Sequence, residues 1–117
     1  MKNFKKLLIW QRGFEIAKQS FRLIESFPRE ERFSLSNQIT RAAVSIPSNI
    51  AEGSGRSSEK DYNRFLEHSL GSAFELETQL LIADSVDYGN EMLRSQLLQD
   101  VVAEQRMLMS FMSKLNK

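Results

Sequence analysis

The chain has no cysteine, which removes disulfides, thiol nucleophiles and cysteine metal clusters from its chemistry and gives no sign of an oxidising compartment. It has one histidine, His68, so it cannot supply the two Glu-x-x-His elements with which four-helix bundles hold a pair of irons. Long apolar runs are also missing. The start, MKNFKKLLIWQRGFEIA, has its longest run at Leu7 to Trp10, too short for a secretory core or a membrane span, and the expectation is a cytoplasmic protein without membrane contact. Neither sign of charge dominates, since the net charge is only +1. Only two prolines and five glycines interrupt the 117 residues, and 41% of them are hydrophobic. That composition suits one soluble domain, residues 1–117, large enough to bury a single core.

What is present is helical periodicity, with no competing strand pattern. At 100° per residue Trp10, Gly13, Phe14, Ala17, Phe21 and Ile24 share one face of a first helix, roughly Leu7 to Ser26, with Arg12, Glu15, Lys18, Gln19 and Arg22 opposite. Pro28 ends it, and Ser34 is a candidate N-cap for a second helix whose stripe is Leu35, Ile39, Ala42, Ala43, Ile46 and Ile50. That stripe stays in phase across Pro47, which predicts a kink rather than a break, although an interior proline costs roughly 3 kcal/mol. Gly53, Ser54 and Gly55 signal a stop, and Ser57 or Ser58 can cap a third helix from about Glu59 to Val86. The tetrapeptide DYGN, with Gly89 free to adopt the left-handed conformation, leads to a fourth helix from about Glu91 to Leu115. Short connections make sequential helices neighbours, so the predicted fold is all-α: an antiparallel up-down-up-down four-helix bundle with a proline-kinked second helix.

Two features exceed what a monomeric bundle needs. Besides its main stripe the fourth helix carries Leu98, Val102, Met109 and Met112, so its apolar arc is far broader than the roughly 100° of a surface helix. Charge is unevenly distributed as well: residues 1–60 carry eleven Lys and Arg against six Asp and Glu, and residues 61–117 carry five against nine. Both features point to self-association, and the basic half also suits a polyanion.

Sites for chemistry are sparse. The SSEK of Ser57 to Lys60 lacks the companion motifs of penicillin-recognising enzymes and reads as a helix cap, and GSGR lacks the ending of a P-loop. Arg56 and Lys60 flank the start of the third helix, where free amides favour anions. Glu77 and Glu104 fall inside apolar arcs, where an unpaired carboxylate costs several kcal/mol, so each should meet a cation, a hydrogen-bond donor or a wet interface. Opposite the stripe of the second helix lie Gln38, Arg41, Ser45, Ser48 and Glu52, with Asn49 at the edge. Helix packing or contact with another subunit is the reading for this face, with no catalytic residue, cofactor or metal.

The motifs IWQRGFEIA (Ile9 to Ala17), SFPREERFSLSNQITRAAVSIPSNIAEGSGR (Ser26 to Arg56) and FLEHSLGSAFELETQLLIA (Phe65 to Ala83) resemble the 23S ribosomal RNA intervening-sequence protein family over about two thirds of the chain. RAAVSIPSNIAEG is the specific part, and Ser34 and Asp61 stand where the family often has glycine and glutamate. The resemblance implies a small antiparallel bundle that assembles into a five-membered ring without enzymatic activity. The matching positions are Trp10, Gln11, Gln38, Arg41, Ser45, Pro47, Asn49, Glu52, Glu75, Glu77 and Gln79, none with a catalytic role.

The expected function is therefore that of a non-enzymatic homo-oligomer, a pentameric assembly or adaptor protein with room for an unidentified protein partner. In it the positive side of helices one and two would meet the negative side of a neighbour. The alternative is RNA or DNA binding through Lys2, Lys5, Lys6, Arg12, Arg29, Arg32, Arg56 and Lys60, weakening steeply with salt.

Overall fold

The computed structural model of the chain describes residues 3–31 and 33–115. Among them are four α-helices, α1 (Leu8–Ile24), α2 (Leu35–Ser54), α3 (Glu59–Ser85) and α4 (Glu91–Leu115), with 3₁₀ turns at Phe4–Lys6 and Arg29–Glu31 and no strand. They pack as a bundle 44 × 22 × 20 Å. Each helix touches the next, and α4 returns to α1. Ser45 meets Ser72 while Gly53 meets Tyr62 and Phe65, and Gln105 meets Ala73 while Phe111 meets Tyr62, so α3 runs opposite to both α2 and α4.

The core is aliphatic, with Ile16, Leu23, Ile39, Ile46, Ile50, Leu66, Leu76, Leu80, Leu97, Val101 and Leu108 all sealed from solvent. Helix α2 runs through Pro47 without interruption. Because proline donates no hydrogen bond, the carbonyl of Ala43 lacks its helical partner. At this step α3 contributes a side chain: the Ser69 hydroxyl donates to the Ile46 carbonyl at 2.8 Å. One turn away the Ser72 hydroxyl donates to Ser45 Oγ at 2.8 Å, and the Asn49 amide donates to both the carbonyl and the hydroxyl of Ser45. Small residues allow this close approach. A Cβ placed on Gly53 would sit 2.9 Å from Phe65 Cβ and 2.9 Å from Tyr62 Cδ1.

Helix starts follow their caps, with two departures from the sequence reading. Ser58 accepts from the Asp61 amide and caps α3. Ser34 does not cap α2: its hydroxyl donates to Glu31 Oε2 at 2.6 Å and accepts from no amide of the first turn. Asn90, read only as part of a turn, caps α4 by accepting from the Leu93 amide at 2.9 Å. The α3–α4 turn is fastened by Arg94, almost fully buried, which donates to Asp84 Oδ1 at 2.8 Å and to the carbonyls of Tyr88 and Gly89.

Gly89 has φ +82, and a Cβ there would lie 2.7 Å from Phe27 Cε1 and 2.9 Å from Leu23 Cδ1. Gly89→Ala combines left-handed strain with overpacking and should cost about 2–4 kcal/mol. Urea denaturation should show a clear fall in midpoint with unchanged slope, and an unchanged midpoint would contradict this view of the turn.

Candidate functional site

Two opposite faces of the bundle carry clusters of exposed apolar side chains. In α1 the buried positions are Ile9, Gly13, Ile16, Ala17, Ser20 and Leu23. Phe14 and Phe21, assigned by the wheel to the same stripe, are each 51% exposed, because the apolar arc of α1 is wider than the core it covers. With Trp10, Ala17, Val44, Pro47 and Ala51 they line an apolar groove of about 480 Å³ between α1 and α2. Trp10 sits between Phe4 and Phe14 with both ring centroids at 5.3 Å, so the groove continues an aromatic row from the N-terminal turn.

On the far side, Leu70, Phe74 and Leu81 of α3 lie on one edge at helical spacing, facing Leu98, Val102 and Met109 of α4 across the Glu77–Gln105 pair. Phe74, Leu81 and Met109 are about half exposed. Of the second stripe of α4, Leu98 and Met112 are partly buried against the core, Val102 is partly buried, and Met109 is left exposed.

The middle of the α2/α3 face is polar. Gln38, Arg41 and Ser45 of α2 meet Ser72 and Glu75 of α3 around a cleft of about 460 Å³. Asn49 belongs to the same seam, and Glu52 is exposed at the last turn of α2. Glu77 is half-buried and accepts from Gln105 Nε2 at 2.8 Å, so this acid has the donor its position demands. His68 is exposed.

The cations proposed for nucleic acid do not form one patch. The helix directions bring Lys5, Lys6, Arg56 and Lys60 to one end of the bundle, joined by Arg64 and Lys114, with Glu52, Glu59, Asp61 and Glu67 among them. Arg12 lies farther along α1, near Glu104, and Arg29 is at the opposite end among Glu25, Glu30, Glu31, Asp84, Asp87 and Glu91. Lys2 and Arg32 lie outside the described residues. Charge is thus separated along the long axis, and not between the side of α1 and α2 and the side of α3 and α4. Arg56 is held over the Phe65 ring, 4.4 Å from its centroid.

Glu104 departs from the rule that buried polar groups are paired. It is 0% exposed, and neither carboxyl oxygen has a hydrogen-bond partner among the described residues. Space for it comes from the missing side chain of Gly13, where a Cβ would stand 3.1 Å from Glu104 Oε2. Burial pushes its pKa up to about 8, against a weaker opposite pull from Arg12, so at neutral pH the acid is mostly protonated. Neutralisation takes the place of the partner that the sequence led one to expect.

The sequence profile described as 23S rRNA-intervening sequence protein matches residues 5–110. The chain belongs to this family. A solved structure from Bacteroides thetaiotaomicron, a protein with unknown function from the S23 ribosomal protein family, superposes with a TM-score of 0.80. It is 23% identical, and the match covers 90% of this chain and 98% of that one, which shows a shared fold. No curated protein matches the sequence.

Neither description of this intervening-sequence protein family names an activity. Among the described residues no three His, Cys, Asp or Glu side chains converge on a point suited to a metal ion, and no helix is long and apolar enough to cross a membrane. Glu104 has a measurable consequence. Between pH 4.5 and about 8 the folded chain keeps a proton that the unfolded chain releases, so stability falls as pH rises through this window. The loss is at most about 1.4 kcal/mol per pH unit. Glu104→Gln should remove that slope and be the more stable protein at pH 8.5. Parallel pH profiles of the two in urea denaturation would contradict the buried neutral acid.

Proposed function

We propose that this intervening-sequence family protein is a non-enzymatic assembly unit that closes into a ring, of five copies as the family resemblance implies. One observation carries the reading: two apolar faces, α1/α2 and α3/α4, lie on opposite sides of one bundle. Their exposed side chains would gain free energy on leaving water, at about 25 cal/mol per Å² of apolar surface buried. Opposite, non-identical faces that mate head to tail repeat one rotation, and such contacts close into a ring when that rotation divides a full turn. Charge separated along the axis adds little to this side-to-side contact, so apolar burial is its main support.

A second reading rests on the axial charge. A ring with its bundle axes aligned would gather Lys5, Lys6, Arg56, Lys60, Arg64 and Lys114 of every copy on one rim, and repetition multiplies weak phosphate contacts. Under this reading RNA or DNA binds the basic rim, without Arg29, and weakens steeply with salt.

The ring is tested with one charge on each face. Phe14→Asp blocks the α1/α2 face and Val102→Asp the α3/α4 face, both at positions outside the sealed core. Each variant alone should be monomeric, and their equimolar mixture should give a heterodimer and nothing larger, because only one intact face of each kind remains. Persistence of a single variant as a homodimer would show that a face pairs with itself, and would overturn the head-to-tail ring.

A further inference from the structure

We infer that the α2/α3 face of every copy lines the axis of the assembly, so that Arg41 and Glu75 of successive copies form a common polar collar around a channel. This rests on the ring proposed above and adds which way each bundle faces. With the α1/α2 and α3/α4 faces used for contact, two faces remain, and one must look inward while the other looks out. Helix spacing decides between them. The pair α2 and α3 is the most tightly packed in the bundle and α1 and α4 the least. Ser69 and Ser72 reach across to α2 by direct hydrogen bonds, and Gly53 brings its backbone against Tyr62 and Phe65. Where α1 faces α4, by contrast, the whole Glu104 side chain is accommodated against Gly13. The cross-section is therefore a wedge, narrow at α2/α3, and wedges that mate side to side close with their narrow edges inward.

The chemistry of the narrow edge fits that position. Arg41 and Glu75 flank the same cleft, both are exposed, and neither forms an ion pair among the described residues. A guanidinium and a carboxylate from each copy leave the collar balanced in charge, so the repeated copies do not repel one another across the narrow lumen. Such a collar holds water and polar solutes and has no net attraction for a polyanion, which places any nucleic acid at the basic rim and not through the channel. Toward the acidic end the same edge of α3 continues as Ile82 and Val86, both about half exposed, which gives the channel one apolar mouth.

The absence of cysteine makes site-specific spin labelling direct. Gln38→Cys reports from the α2/α3 face and Gln96→Cys from the α1/α4 side, both at exposed positions outside the proposed contacts. The molar mass of each labelled protein is measured first. In an assembly, nearest copies labelled at Gln38 should be closer than the 20–22 Å width of one bundle, and those labelled at Gln96 farther apart than that width. The reverse order, with the mass unchanged, would put α1/α4 inside and overturn this inference while leaving the ring. Equal distances would show that neither face is central, with the same consequence. A monomeric mass for both labelled proteins and for the unlabelled chain would remove the ring itself, and the channel with it.

Discussion

Between Ser45 and Gly53, α2 meets α3 through a serine, a peptide carbonyl and a bare backbone, and α3 answers with Ser69, Ser72 and the edge of Tyr62. The interior proline lies in this close approach: Pro47 leaves the Ala43 carbonyl without its helical donor, and α3 ties the same stretch of α2 by the Ser69 hydroxyl on the neighbouring Ile46 carbonyl. The close approach also makes the contact of α2 with α3 the most extensive in the bundle. With α2 drawn against α3, the opposite edge has room for a buried acid, and the aromatic side chains of α1 are left in an open groove. The polar cleft and the close α2–α3 contact share one cause in the small residues of this seam.

Most of the fold can be read from periodicity. The stripes of α3 and α4 are long enough that their ends come within a residue of the expected ones. Local signals were less secure, because a short polar side chain has several local partners. Ser34 looks like a cap and instead donates to Glu31, while Asn90 looks like a turn residue and does the capping. A helical wheel shows which residues are apolar and in phase, but cannot say where the intramolecular core ends. Phe14 and Phe21 are in phase with Ala17 and still face outward.

The candidate site was legible only in part. The broad arc of α4 signalled surface beyond the core, which Met109 supplies, and the face of Gln38, Arg41 and Ser45 was recognisable on α2. Its counterpart on α3, Ser72 with Glu75, depends on the register of one helix against another, which no single helix records. The basic residues divide between the two ends because antiparallel neighbours reverse direction, and counting charge along the chain could not reveal it. Glu104 was correctly read as buried. Its lack of a partner follows from how Gly13 and Ile46 enclose it and from the cost of keeping a charge there, which protonation avoids.

If apolar burial between opposite faces holds copies together, assembly should tolerate salt, which screens charge but does not weaken the hydrophobic effect. The most direct measurement is the molar mass of the unmodified protein by light scattering after size exclusion, over a range of concentrations at low and high salt. The account predicts one discrete multiple of the 13.5 kDa chain, the same at both salts. A mass of one chain throughout, or an assembly that forms only at low salt, would contradict it.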